Sequence, residues 1–558
     1  MSNRFKRIIA LGIALAYVFI IYKLSGIGFE TNDDRLINSI LTGVITGEPN
    51  ATVFFLNSAI CFPLKVLYSI TTQVPWYGLF LTAMYVLGYW ALLDSLFAKC
   101  KSIIEMIISA FVAGTVCILF WYIIGQIQFT STAIFLASVG YACLIFDRGE
   151  KSGIIKFTVF EMMASFLRID AMLLVQPFGF GALGGLILFE RKVQFKEKVK
   201  KLTFVLGCLL LVIVMNFVFN LAGGYYGKEM REFSKYNQSR SYIADYPGVP
   251  MYEVVEPILT KHGISKEQYI GYIFNANIEK NMTLECQEEI AQYLSERIEH
   301  DITSVIKSVT QKFCQKQQWN ITAPSWVLSV ILLIVAVCSK QYSMLPGWLG
   351  LQFGKFVVWS FLYYRGRILD RVTVPLFFCE VVILLAILCW GSKEKKINGL
   401  KKNMLYAGVA LLLFVSARPA AVAQYRYVKE RNQGQDIYIT GLQDIIDYCN
   451  EHTENHYVLD LFTTTYYKGS AFETEIYQPG NYLFAGGWFS ELPDARQYME
   501  EYATAKGAIC LIVYREEHPM PDELIGYYSY VTGGEPILVD QFSSSIGNAF
   551  DVIKFEYK

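Results

Sequence analysis

Two adjacent carboxylates, Asp33 and Asp34, stand just past the first apolar run, in the stretch Glu30-Thr31-Asn32-Asp33-Asp34-Arg35. Acids beside an apolar boundary are kept for catalysis, a metal or an ion pair, or else they cap an interfacial helix, whose free amides and dipole favour them. A second cluster, Arg365, Arg367 and Arg371, puts three guanidinium groups within seven residues at the end of another apolar run. Guanidinium holds phosphate through paired hydrogen bonds, so this cluster suits a lipid phosphate or pyrophosphate. An acid that takes a proton from an acceptor hydroxyl, facing arginines that stabilise charge on a departing lipid phosphate, describes sugar transfer from a polyprenyl-phosphate carrier by direct displacement. Hydrolysis by two carboxylates fits the same residue types. Neighbours in sequence do not readily straddle one bond, however, so Asp33 and Asp34 do not divide both roles between them.

The elements that position these groups are membrane helices. Of 558 residues, 54% are hydrophobic and 18% charged. Apolar runs of about 15 to 20 residues, each close to the thickness of a hydrocarbon core, recur along the chain and imply a polytopic α-helical membrane protein. A formal net charge of zero gives no basic surface for nucleic acid. The twelve cysteines form no CxxC pair, and most lie in apolar runs as small hydrophobes. Cys286, Cys314, Cys449 and Cys510 fall in long polar regions, where pairing is open.

About eleven spans are expected: 8–22, 77–97, 103–124, 129–146, 157–166, 171–189, 202–219, 326–338, 348–363, 372–390 and 404–415. Arg4, Lys6 and Arg7 precede the first and place the N-terminus in the cytoplasm. Threading the spans alternately puts Lys99 with Lys101, Arg148 with Lys151 and Lys156, 191–201, and 393–402 on the cytoplasmic side, as the positive-inside rule requires. The same threading sends Asp33 and Asp34, the turn at Arg168 and Asp170, the segment 223–324 and everything after Arg418 to the outer face. Basic clusters are unusual there, which draws attention to Arg365, Arg367 and Arg371.

These sidedness arguments divide the chain into a transmembrane domain, 1–420, and a soluble extracytoplasmic α/β domain, 421–558. The first carries an outer loop, 25–76, with the acidic pair and an interfacial helix in 51–70. It also carries an outer helical loop, 223–324, with a packing face at Ile290, Tyr293, Leu294 and Ile298. In the turn Arg240-Ser241-Tyr242-Ile243-Ala244-Asp245-Tyr246, the residues Arg240, Asp245 and Tyr246 combine charge and aromatics as an acceptor-sugar site would, or simply as a surface turn does. Short β-like runs after 425 alternate with helical ones, and no GxGxxG, P-loop or GxSxG occurs among them.

The first loop, "NDDRLINSILTGVITGEPN" followed by "FPLKVLYSI" and "VPWYGLF", resembles the first outer loop of the GT-C superfamily of integral-membrane glycosyltransferases, which includes protein O-mannosyltransferases and aminoarabinose transferases. "SFLRIDAMLLVQPF" resembles the family's Arg-Pro-Glu-type segment, and "YYRGRILDRVTVPLFF" its Arg-Tyr-x-x-Pro-type segment before a late span. The resemblance covers roughly 1–390. It implies Asp33 as catalytic base, Asp34 as its support or a metal ligand, and Arg168 with Arg365, Arg367 or Arg371 at the donor phosphate. A divalent cation, if one takes part, falls to Asp33 and Asp34. The chain departs from the pattern in carrying Ile169-Asp170 for Pro-Glu and Asp-Asp for Asp-Glu.

The expectation is a GT-C-like transferase in a bacterial plasma membrane, moving a sugar from a polyprenyl-phosphate donor to a cell-surface glycan or lipid. The alternatives are a lipid-linked saccharide flippase, which would line a midplane path with charges, or a transferase-like scaffold without activity. Glu161 is one of few ionisable residues placed mid-run, which speaks against the flippase.

Overall fold

The computed structural model describes residues 2–190, 193–244, 250–273, 282–296, 303, 306–307, 319, 321–338, 340–366, 368–391, 399–459, 463, 469–474, 480–504, 507–514, 516 and 520–558. The N-terminal part comprises α1 (Asn3–Ser25), β1 (Gly28–Phe29), α2 (Asn32–Thr42), α3 (Ser58–Ile70), α4 (Trp76–Phe97), α5 (Ile103–Leu119), α6 (Trp121–Gly125), β2 (Gln126–Ile127), α7 (Phe129–Phe146), α8 (Lys151–Leu188) and α9 (Phe195–Ala222). Four helices of the long loop follow: α10 (Lys228–Ala244), α11 (Tyr252–Lys261), α12 (Lys266–Ile273) and α13 (Leu284–Ser295). The bundle resumes with α14 (Thr322–Cys338), α15 (Met344–Tyr364), α16 (Asp370–Gly391) and α17 (Gly399–Glu451).

Among the described residues, seven helices are long and apolar enough to cross a membrane: α1, α4, α7, α8, α9, α16 and the segment Tyr406–Gly434 of α17. Four of the eleven expected runs are thereby accounted for otherwise. Two fall on α5 and α14, of 17 residues each, one falls on α15, and the fourth is the second of two runs that α8 carries. Large apolar side chains face outward on α1 and α9, among them Leu15, Phe19, Phe204, Leu210 and Phe217. Water would penalise such a belt, whereas lipid tails accept it. The chain is a polytopic helical membrane protein. Every residue of α7 is buried, as expected of a helix that is apolar all round and sits at the centre of a bundle.

α8 reverses at Arg168, whose φ of −165° and ψ of 106° break the helix. Gln176 donates from Nε2 to Glu161 Oε2 at 2.9 Å. In a straight helix those residues would stand about 22 Å apart at 1.5 Å rise per residue. The two halves are therefore antiparallel, and Arg168 marks the tip of a hairpin. Asn57 fastens the first loop to that tip by donating twice: its backbone N–H reaches Phe166 O at 2.8 Å and its amide Nδ2 reaches Asn216 O at 2.9 Å. Asn216 in turn donates to Ser165 O at 2.7 Å.

The opposite end of the bundle is tied by charge. Asp94 accepts Arg7 at 3.3 Å and Lys156 at 2.8 Å, with Asp147 3.8 Å from the same lysine. Arg7 and Lys156, two of the basic residues expected on one side, meet on Asp94 here. Inside the bundle, Lys355 and Glu380 meet at 2.8 Å with side-chain exposures of 7% and 3%. The sequence pattern had singled out only Glu161, and this neutral pair joins it.

α17 runs without interruption through the expected boundary at 420 and leads to the C-terminal domain. That domain consists of β3 (Tyr457–Leu459), β4 (Tyr482–Phe484), a 3-10 turn at Trp488–Glu491, α18 (Pro493–Thr504), β5 (Ala508–Val513), α19 (Pro521–Thr532), β6 (Ile537–Ser543) and β7 (Ala549–Glu556). Strand order is β4-β3-β5-β7-β6, parallel among β4, β3 and β5 and antiparallel around β7. Val458, Leu511, Val513, Tyr527, Tyr528 and Phe555 form its core. α10 to α13 enclose a satellite core of Tyr236, Val255, Leu259, Tyr269, Cys286 and Ile290. Ile290 lies inside it as expected, and Ile298 lies outside the described residues. Cys286, Cys449 and Cys510 are free thiols, and Cys314 also lies outside the described residues.

Candidate active site

Three successive residues at the start of α7 hold three segments that are far apart in sequence. Phe129 N–H donates to Asp34 Oδ1 at 3.1 Å. Thr130 Oγ1 accepts Arg168 Nη1 at 3.0 Å. Ser131 Oγ donates to the Arg371 carbonyl at 2.8 Å. The parallel pairing of Gly28 with Gln126 and Phe29 with Ile127 lays the first loop beside this helix end. The acidic pair, the hairpin tip and the start of α16 thus share one end of the bundle.

The two acids have different surroundings. Asp34 is wholly buried, and it accepts Tyr77 Oη at 2.9 Å, Phe129 N–H, and Thr31 Oγ1 at 3.2 Å. Burial holds its carboxyl well above the usual carboxylate range, opposed by the Tyr77 hydrogen bond and reinforced by the neighbouring Asp33. Asp33 is half-buried, and one donor reaches its carboxylate, the Trp488 indole N–H at 3.1 Å from Oδ1. Asp34 is built into the scaffold, whereas the Asp33 Oδ2 accepts no donor among the described residues.

The arginines divide in the same way. The Arg168 guanidinium lies over the rings of Phe55 and Phe129, 5.4 and 5.3 Å from their centroids, which themselves stack at 5.6 Å. Arg371 stands 3.7 Å from Glu30 Oε2, and Glu30 accepts Tyr122 Oη at 2.9 Å on its other oxygen. Arg431 joins this group by donating to the Glu30 carbonyl and to Tyr427 Oη. Arg365 is exposed and donates to Tyr242 Oη at 3.2 Å, on the side of α10. Arg240 donates to Asn237 within α10. Arg367, Asp245 and Tyr246 lie outside the described residues.

The C-terminal domain is stitched to the first loop on both flanks of the acids. Ser470 bridges Gly28 antiparallel, with Phe29 N–H reaching the Gly469 carbonyl and Ala471 N–H the Ile27 carbonyl. At the other flank, Asn50 Nδ2 and Thr52 Oγ1 both donate to Asp494 Oδ2, at 2.8 and 3.0 Å. Between them, the Arg35 guanidinium lies 5.5 Å from the Phe484 ring. A cavity of about 610 Å³ opens next to this junction, lined by Lys228, Arg231, Lys235 and Phe233 of α10 and by Glu491 and Arg496. Phe233 packs on Phe54, Phe54 on Phe55, and Phe55 on Trp488, so an aromatic row runs from the cavity to Asp33.

Sequence reasoning missed Glu30 as an arginine partner, together with Tyr122, Arg431 and Trp488. Of these, Trp488 carried a signal, since "FAGGWFSE" puts a large aromatic after two glycines. The acidic pair does not fit a divalent cation, because both Asp34 oxygens already accept protein donors. Among the described residues no group of three or more His, Cys, Asp or Glu side chains could hold a metal.

No family model matches the chain and no curated protein matches it. Among solved structures, the chain is similar to the crystal structure of ArnT from Cupriavidus metallidurans in the apo state, at 12% identity over 98% of this chain and 97% of that one, with a TM-score of 0.39.

Proposed function

We propose that the chain is a membrane glycosyltransferase of the GT-C type, moving a sugar from a polyprenyl-phosphate donor to a glycan or lipid acceptor on the extracytoplasmic face. The observation that carries this reading is that the first turn of α7 gathers the helix bearing the acidic pair, through Asp34, together with the Arg168 guanidinium and the Arg371 backbone. The acceptor hydroxyl oxygen attacks the anomeric carbon and the bond from that carbon to the phosphate oxygen breaks. The hydroxyl proton passes to Asp33 Oδ2, and the electron pair leaves with the phosphate, whose charge Arg168 and Arg371 stabilise. Asp34 keeps the helix that carries Asp33 in place.

The cavity beside Glu491 is the approach for the acceptor, since it adjoins the aromatic row ending at Asp33 and its volume lies in the range of ligand sites. Arg365, exposed beside Tyr242, belongs to the rim where the donor headgroup arrives.

The test is transfer of labelled sugar from a panel of polyprenyl-phosphate sugars in membranes, wild type against Asp33→Asn. Loss of a positioned base lowers the rate by about 10²- to 10⁴-fold. An Asn variant that expresses normally and transfers at the wild-type rate refutes the assignment. If no donor yields transfer while membranes carry labelled lipid-linked sugar across, the flippase reading replaces this one.

A further inference from the structure

We infer that the C-terminal domain completes the active site, with Trp488 as the residue that positions Asp33. The inference rests on the transferase reading for its kinetic consequence, and on geometry alone for the contact itself.

Asp33 and Asp34 occupy the same helical turn, yet Asp34 is fixed by three donors from the membrane bundle and first loop, while Asp33 receives one, from the soluble domain. A half-buried carboxylate with few donors rotates about its side-chain torsions unless something holds it. The Trp488 N–H takes Oδ1 and so leaves Oδ2 as the atom that accepts a proton.

The chain around Trp488 is shaped for this delivery. Gly486 and Gly487 have φ of 107° and 84°, values that a side chain would strain. They swing the chain out of β4 into the 3-10 turn, and Ser490 Oγ accepts the Gly486 N–H at 2.9 Å to close the bend. The indole then meets Phe55 edge-on at 4.8 Å. Phe55 is the ring on which Arg168 rests, so one aromatic side chain abuts both the base holder and the donor-side arginine. The domain cannot drift from this position independently, because Asp494, six residues on, is bound by Asn50 and Thr52, and 469–471 pairs with β1 on the far side.

A packing role and a positioning role part company in Trp488→Phe, which keeps a ring against Phe55 and removes the N–H. Positioning predicts that kcat falls on the order of tenfold, a fraction of what a placed general base supplies, with KM for donor and acceptor unchanged. Unchanged kcat in Trp488→Phe overturns the inference. Trp488→Ala alone would not separate the two roles, since it also removes the packing.

The contact has its own readout that needs no activity. In ¹⁵N-tryptophan-labelled protein in nanodiscs, the indole signal missing from Trp488→Phe identifies Trp488, and Asp33→Asn must shift that signal, because its hydrogen-bond acceptor changes from a carboxylate to an amide. No shift overturns the inference even if the transferase reading stands. A shift in a protein that transfers no sugar keeps the contact and removes the transferase reading.

Discussion

Asp34 offers the sharpest energetic test of how the acidic helix is held. Replacing it with Ala leaves the Tyr77 hydroxyl and the Phe129 N–H, both buried, without their acceptor. An orphaned buried donor costs about 1–3 kcal/mol, so the pair amounts to roughly 2–6 kcal/mol, a large share of the ~5–15 kcal/mol that keeps a domain folded. Asn at the same place keeps an oxygen for both donors. Burial raises the Asp34 carboxyl, so the folded state holds a proton that the unfolded chain has released. The stability this contributes is complete below the unfolded value near 3.9 and is lost as pH rises through the folded one. The Asn variant should therefore gain on wild type as pH rises above about 4, and Ala should be the least stable of the three. The assay is the thermal inactivation half-time of purified protein in detergent at several pH values, because membrane proteins of this size unfold irreversibly. Equal half-times for Ala and Asn would refute the hydrogen-bond argument, and a pH-independent gap between Asn and wild type would refute the burial argument.

Glu380→Gln strands Lys355 inside the bundle and should destabilise by about 3–5 kcal/mol, whereas the double change to Lys355→Met and Glu380→Leu should recover most of that loss in the same half-time assay. Arg231→Glu, on the cavity wall, should raise KM for the acceptor several-fold while leaving KM for the donor unchanged, measured by varying one substrate at a time. A matched rise in donor KM would place the donor, not the acceptor, in that cavity.

The membrane class and the turn at Arg168 could be read from the chain because they depend on local properties: apolar run length and its interruption by charge. Span count was less legible. α5 and α14, at 17 residues each, fall short of the roughly 20 residues that cross a hydrocarbon core, and α8 hides its reversal in a single residue. The residues alone mark Asp33 and Asp34 as a pair, and only the family resemblance assigns them different roles, since the physical difference between them is Tyr77, Phe129 and Thr31 on one side and Trp488 on the other. Those partners lie up to 455 residues away in sequence, and no local pattern records them. Arg431 was hidden for the same reason, being one charge in a run of ordinary juxtamembrane residues until α17 carries it back to Glu30.

One further question is which groups would hold the donor phosphate, since a helix N-terminus is a common anion site. At α7 that option is closed. The first free amides are already taken: Phe129 N–H by Asp34, and Thr130 and Ser131 N–H by Gln128 Oε1 at 2.6 and 3.1 Å. The helix end that gathers the site is therefore a fastening point, and phosphate recognition falls to side chains. The Arg371 guanidinium faces a charged group at the site, Glu30, so a phosphate can compete for it. Arg371→Lys keeps the charge and removes the planar fork that pairs with two phosphate oxygens. Donor KM should then rise about tenfold, the worth of roughly 1.4 kcal/mol, with acceptor KM unchanged. A donor KM indifferent to Arg371→Lys and Arg371→Ala alike would mean that Arg371 serves only to close the first loop onto α16, leaving Arg168 to carry the leaving-group charge.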